Sequence, residues 1–333
     1  MPCIGRCGKV ALLWSLVIFQ STAITNRPII GVLSTPLLET SECVTRRLSE
    51  STDNQLDSAG SCFHSLYVQW LESAGARVVP LLYDESPERL KDRFTQINGV
   101  LFTGGETDIS NLSSPYMLAA SRLLNYTLEA NAAGEHVPLW GTCMGFQTLS
   151  VLVAQSSSVL QKGAFDSESL MLPLDLDGDD QPFQSRILSA ISPHVLQWLQ
   201  SENITVNLHH DGVSPLSYQT NQNLRRFFRV VSTNVDRRGS AFVSTAEGRE
   251  APVYAVQWHP ERPQFQYSDS AGETGIPHSA HAIVAMQEFA QFFVNEARMN
   301  SRHFATKDSE AEALIYNYSP QGPLGDSYRA YVF

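Results

Sequence analysis

Short apolar runs alternate with helix-like stretches through the first half of this chain, and that alternation constrains the fold more than any other feature. Pro28 to Leu33 is a β-branched apolar run. Phe63, Leu66, Tyr67, Trp70, Leu71 and Ala74 then recur at helical spacing, and Gly75 closes the helix. Arg77 to Leu82 reads as a second strand, and Ser86 to Ile97 as a helix with Ser86 as N-cap and Pro87 in its first turn. Asn98 to Phe102, a helix over Tyr116 to Ala132, and the run from Val137 to Trp140 continue the series. The pattern predicts an α/β fold: a central, mostly parallel sheet with helices on both faces. Ligands of such sheets bind beyond the carboxyl ends of the strands.

The remainder is less regular. Residues 36–60 are polar and Ser-rich and read as a loop. Residues 165–186 contain an acidic stretch from Asp175 to Asp180, whose calcium-ligand pattern is incomplete and which reads as a solvated loop. Strand-like runs return at Phe227–Ser232, Ala241–Thr245 and Pro252–Trp258, and a helix fits Ser279 to Ala297. There is no internal repeat and no linker-like segment, so residues 24–333 are expected to form one domain.

Residues 1–23 read as a secretory signal. Arg6 and Lys9 precede the apolar run Val10–Phe19, and Ser21-Thr22-Ala23 has small-x-small character. The run is short for a bilayer span, so no membrane attachment is expected after cleavage. Asn-x-Ser/Thr sequons at Asn111, Asn125, Asn203 and Asn317 fit the same route, the last weakened by Pro320. A net charge of −11 argues against nucleic acid as a partner. Cleavage would remove Cys3 and Cys7 and leave Cys43, Cys62 and Cys143. Cys43 and Cys62 either pair or both stay reduced.

Cys143 lies in Trp140-Gly141-Thr142-Cys143-Met144-Gly145-Phe146-Gln147, with a strand-like stretch before it and a helix-like stretch after. A reactive residue two positions from a Gly on each side fits the tight strand-to-helix turn of the nucleophile elbow, here with a thiol. The positive end of the helix dipole favours a thiolate there. A small buried hydrophobe is the bland alternative, and the other residues decide. His259 and Glu261 end a strand-like run, and two positions apart in extended backbone they would project to one side. An imidazole to take the thiol proton and a carboxylate to fix its tautomer complete a catalytic chain.

Several segments carry a resemblance. Gly-Thr-Cys-Met-Gly-Phe-Gln, Phe102-Thr103-Gly104-Gly105 and Gln257-Trp258-His259-Pro260-Glu261 resemble the class I glutamine amidotransferases, which have a flavodoxin-like fold. Arg27–Gly31, Tyr67–Pro80, Phe292–Arg298 and Ala313–Tyr316 narrow the resemblance to the gamma-glutamyl hydrolase family, also called folate conjugases. The resemblance implies hydrolysis of γ-linked glutamates in folate polyglutamates, with no metal and no organic cofactor. It implies Cys143 as nucleophile, His259 as base and Glu261 as orienting acid. Backbone N–H groups of Met144 and of the Gly104-Gly105 loop would hold the oxyanion. A functional His maps best to His209, with His210 adjacent. Arg186 or His209 would meet substrate carboxylates. The resemblance further implies a lysosomal, vacuolar or secreted protein and a homodimer. Two other readings remain: a glutaminase-type amide hydrolase acting with a synthase, and a secreted polyglutamate-binding protein without turnover.

Overall fold

The computed structural model describes residues 25–37, 43, 60–176, 185–267, 273–322 and 328–333. The proposed signal segment and Asp177–Asp180 of the acidic stretch lie outside them. Seven strands form the central sheet: β1 (Ile29–Leu33), β2 (Arg77–Leu81), β3 (Gly99–Phe102), β4 (Leu139–Thr142), β5 (Phe228–Val235), β6 (Ala241–Gly248) and β7 (Val253–Val256). Their spatial order is β5-β6-β7-β4-β3-β1-β2. The block β7-β4-β3-β1-β2 is parallel throughout, while β6 runs antiparallel to both its neighbours. The expected parallel core is present, edged by an antiparallel ribbon.

Side-chain alternation explains why helices cover both faces. Val32, Leu101, Trp140 and Tyr254 are successive partners across the sheet, and all point to one core. There they meet Trp70 of the helix Ser65–Ser73 and Phe289 and Phe293 of the helix Ala280–Arg298. The Trp140 ring lies 5.5 Å from both Trp70 and Phe293. Val100, Phe102 and Leu139 point the other way, onto Met117, Leu123 and Leu149 of the helices Pro115–Ala132 and Met144–Ala154. Burial on both faces is what makes these strands continuous apolar runs in the sequence.

The chain passes from β1 to β2 on one side, then crosses to β3 on the other. That reversal is the switch point at which open α/β sheets form their ligand crevice. Register brings the carboxyl ends abreast: Leu33 pairs Phe102, Phe102 pairs Gly141, and Thr142 pairs Val256.

One strand was not foreseen, and one local expectation is corrected. Ser167–Leu172 is a strand paired antiparallel with Thr205–His209. Its register shifts between Ser167 and Leu170, and Ser169 takes a positive φ of 47°, so the segment has no clean alternation to read. His259-Pro260-Glu261 is a turn, not extended strand, because β7 ends at Val256 and Glu261 caps the short helix Arg262–Phe265 in a helical conformation.

Candidate active site

Cys143 follows β4 directly and caps the helix Met144–Ala154, with φ 51° and ψ −109°. A non-Gly residue held there stores about 1–3 kcal/mol of strain. Tight packing on either side sustains it. A Cβ on Gly141 would lie 2.7 Å from the Gly145 carbonyl oxygen, and one on Gly145 would lie 2.3 Å from the Phe102 carbonyl oxygen. Only glycines let the helix start this close to β3 and β4. Cys143 N–H donates to Val256 O at 2.8 Å, tying the elbow to β7. Met144 N–H is one of the first-turn donors without an acceptor inside its helix.

His259 comes from the turn after β7, and its backbone N–H donates to Val206 O at 2.9 Å. Its Nδ1 lies 2.7 Å from Glu261 Oε1, and its side chain is 3 % exposed. Burial, the largest influence, disfavours the imidazolium. The charges of Glu261 and Cys143 outweigh it and push the His259 pKa up to about 10. His259 therefore carries its proton at neutral pH, beside Cys143. Among the described residues, His259 Nε2 has no hydrogen-bond partner of good geometry. For Glu261, burial pushes the carboxyl up, but His259 and Arg262 together hold it below its usual range.

Four further side chains support the group. Gln257 Nε2 donates to Cys143 Sγ at 3.7 Å, and Gln147 Nε2 donates to Gln257 Oε1 at 3.2 Å. Arg262 Nε donates to Glu261 Oε1 at 3.3 Å, while its Nη1 binds Glu273. Tyr67 Oη accepts the Gly104 N–H at 2.8 Å. Sequence reasoning gave none of these a role. Gln147 and Gln257 lie within the two quoted motifs, which was the available signal. Tyr67 looks like one more position of an apolar helix stripe.

The structure separates the two adjacent histidines. His209 is 3 % exposed, and its Nδ1 lies 2.9 Å from Asp211 O. A carbonyl only accepts, so Nδ1 carries the hydrogen and Nε2 is a lone pair. That Nε2 is buried without a partner among the described residues. Burial lowers the His209 pKa to about 3, against the upward pull of the Asp211 carbonyl. In this state Nε2 is placed to accept a hydrogen bond rather than to give one. His210 is exposed and faces Glu168 at 3.3 Å. The expectation for Arg186 is corrected: its guanidinium binds the Gly248 and Ala251 carbonyls and stacks over Tyr254, outside the site.

Cys143 sits where two lobes of one cleft meet. One, about 90 Å³, is lined by Tyr67, Gly104, His259 and Arg262. The other, about 350 Å³, is lined by Met144, Gln147, Lys162 and His209. Together they reach the size of a small-molecule site. Cys43 and Cys62 form a disulfide at the rim, and Cys143 stays free. No group of three or more metal-ligating side chains lies together among the described residues.

Residues 43–261 match the family model described as Peptidase C26. Gamma-glutamyl hydrolase B of Dictyostelium discoideum is 35% identical over 313 residues, covering 93% of this chain and 84% of that protein. The gamma-glutamyl hydrolase of Homo sapiens is 36% identical over 269 residues, covering 80% and 81%. Gamma-glutamyl hydrolase 1 of Arabidopsis thaliana is 33% identical over 314 residues, covering 92% and 83%. A crystal structure of a putative GMP synthase subunit from Thermoplasma acidophilum aligns with a TM-score of 0.45 at 14% identity, covering 82% of this chain and 96% of that one. By the family match and by these extended identities, the chain belongs to the peptidase C26 family, among the gamma-glutamyl hydrolases.

Proposed function

We propose that this protein is a cysteine hydrolase of γ-glutamyl bonds, acting on poly-γ-glutamate chains such as those of folates. One observation carries the reading. His259 is bound to Glu261 through Nδ1, while Cys143 stands on a strained elbow among the groups that hold the imidazolium charged. Cys143 Sγ attacks the side-chain carbonyl carbon of a glutamyl unit, and the carbonyl electrons move onto oxygen. Met144 N–H would donate to that oxygen, and the Gly104-Gly105 loop lines the same lobe as Cys143 and His259. His259 gives its Nε2 proton to the leaving amine, and the C–N bond breaks, leaving a γ-glutamyl thioester on Cys143. Water then attacks the thioester and returns a proton to His259, which frees the γ-carboxylate product and the thiolate. Protein groups and water suffice for every step. The His209 lone pair suits a substrate N–H or the attacking water.

Incubation with a defined folate pentaglutamate tests the proposal. Shortened chains should appear, and Cys143→Ala should abolish them while preserving the fold. Full activity of that variant sinks the thiol mechanism, and ammonia release from free glutamine with no chain shortening sinks the substrate. We also keep the lysosome, vacuole or extracellular space as the destination, and a homodimer as the assembly; sedimentation at micromolar concentration checks the latter. No helix among the described residues is long and apolar enough to cross a membrane.

A further inference from the structure

The sequence motif assigns the Gly104 amide to the oxyanion, but the structure gives that amide to Tyr67. Tyr67 is 2 % exposed and belongs to the helix Ser65–Ser73, which packs beneath the site. A Cβ on Gly104 would lie 2.7 Å from Tyr67 Oη, 3.0 Å from His259 Cε1 and 3.4 Å from Cys143 Cβ. The phenol, the imidazole and the nucleophile thus surround one point, and a glycine leaves it open. Any residue larger than Gly at 104 would fill the space between them.

A phenol oxygen that accepts one hydrogen bond still has its own hydrogen to give. Gly104 N–H occupies a lone pair, so the Tyr67 hydrogen must point elsewhere, and the hydroxyl borders the lobe that Cys143 and His259 share. Burial, reinforced by the Glu261 charge, holds the Tyr67 pKa well above its ordinary value, so the hydrogen stays in place. A permanently protonated, anchored donor beside a nucleophile is what a developing oxyanion requires.

We infer that the Tyr67 hydroxyl is a side-chain donor to the tetrahedral oxyanion, taking over the task expected of the Gly104 amide. The inference rests on the hydrolase reading above. As Cys143 Sγ bonds to the carbonyl carbon, the carbonyl oxygen gains the electron pair and accepts from Tyr67 O–H and Met144 N–H. When the C–N bond breaks, the electrons return to the C=O and both hydrogen bonds weaken. Tyr67 keeps its proton throughout. Gly104 N–H, donating into the phenol oxygen, polarises the O–H and makes it a better donor.

The test is Tyr67→Phe, with three readouts on the full chain. Turnover of folate pentaglutamate should fall about 10²–10³-fold in kcat, with KM changed less than about threefold. A γ-glutamyl aldehyde, which forms a tetrahedral adduct with the thiol, should bind more weakly by the same factor as kcat/KM falls. The rate of Cys143 alkylation by iodoacetamide, which needs no oxyanion, should stay within about twofold. Unchanged kcat overturns the inference. A kcat loss matched by slower alkylation, with aldehyde affinity intact, also overturns it and makes Tyr67 a structural prop. If the variant does not fold, 3-fluorotyrosine at position 67 keeps the shape and strengthens the donor; kcat/KM and aldehyde affinity must then shift together. Wild-type protein without turnover would instead sink the hydrolase reading, while aldehyde binding and alkylation would still report on Tyr67.

Discussion

His209 makes the stability of this protein depend on pH in a calculable way. Its folded pKa of about 3 lies below the ordinary histidine value, chiefly because burial excludes the charged form. Below the unfolded value of about 6.5 the unfolded chain binds a proton that the folded chain refuses. Stability is therefore lost as pH falls through about 6.5, and the loss is complete near pH 3. Between about pH 7 and about pH 4.5 the loss amounts to about 2–3 kcal/mol, at about 1.4 kcal/mol per unit. His209→Asn removes the titration, and its amide nitrogen can still donate to the Asp211 carbonyl that Nδ1 meets at 2.9 Å. The variant should be the less stable form at pH 7, because side-chain packing against Phe242 is lost. By about pH 4.5 the gap should have narrowed by about 2–3 kcal/mol, or about 5 °C in melting temperature for a chain of this size. Urea denaturation of both proteins at the two pH values measures it. A gap that is the same at both would show that His209 does not refuse its proton when folded, and would undo the claim that its Nε2 is a lone pair.

Three further outcomes follow from the geometry. Glu261→Gln removes the carboxylate that raises His259, so His259 should lose its proton at a lower pH; the alkaline limb of kcat/KM, set near pH 10 in the wild type, should move toward neutrality. A limb that stays in place would detach Glu261 from His259. Gly145→Ala drives a Cβ against the Phe102 carbonyl of a central strand, with no flexible side chain to yield, and should cost about 3 kcal/mol or more by denaturant unfolding. Glycopeptide mass spectrometry of the protein expressed through a eukaryotic secretory pathway should find glycans at the exposed Asn111, Asn125 and Asn203. It should find none at Asn317, whose Nδ2 donates to the carbonyls of Ala311, Glu312 and Leu314.

The parallel core was legible because its strands are buried on both faces and a helix carries a cap that sequence displays, Ser86 before Pro87. Cys143 was legible for a related reason: the two flanking glycines answer to two measurable close approaches. His259 and Glu261 were found as a pair on mistaken grounds. Strand periodicity suggested a shared face, whereas a Pro-containing turn and a helix N-cap bring Nδ1 and Oε1 together. Tyr67 was illegible because one aromatic ring serves two purposes: its face is core and its hydroxyl is site. The His209 tautomer was hidden for another reason, since it depends on where the Asp211 carbonyl points. Residues 167–172 stayed hidden because a bulge at positive φ erases the period that identifies a strand.

The net charge of −11 is awkward for a polyanionic substrate, and what counts is the charge near the site. Solvent screens charges beyond about 8 Å at physiological salt, so the groups lining the cleft matter more than the total. Among the described residues, the Lys and Arg lining the two lobes are Arg262 and Lys162, and each already faces carboxylates. Arg262 binds Glu261 and Glu273, and Lys162 lies 2.6 Å from Asp108. An acidic compartment does not free Lys162 by protonating its partner, because hydrogen bonds from Lys162 and Ser110 hold the Asp108 pKa down to about 2. A substrate carboxylate that reaches Lys162 therefore exchanges with Asp108 for the same cation. One exchange of this kind changes little in charge and contributes little affinity, since an exposed ion pair is worth at most about 1 kcal/mol. Arg262 is buried on Glu261 and Glu273, so of these two cations Lys162 is the one open to such an exchange.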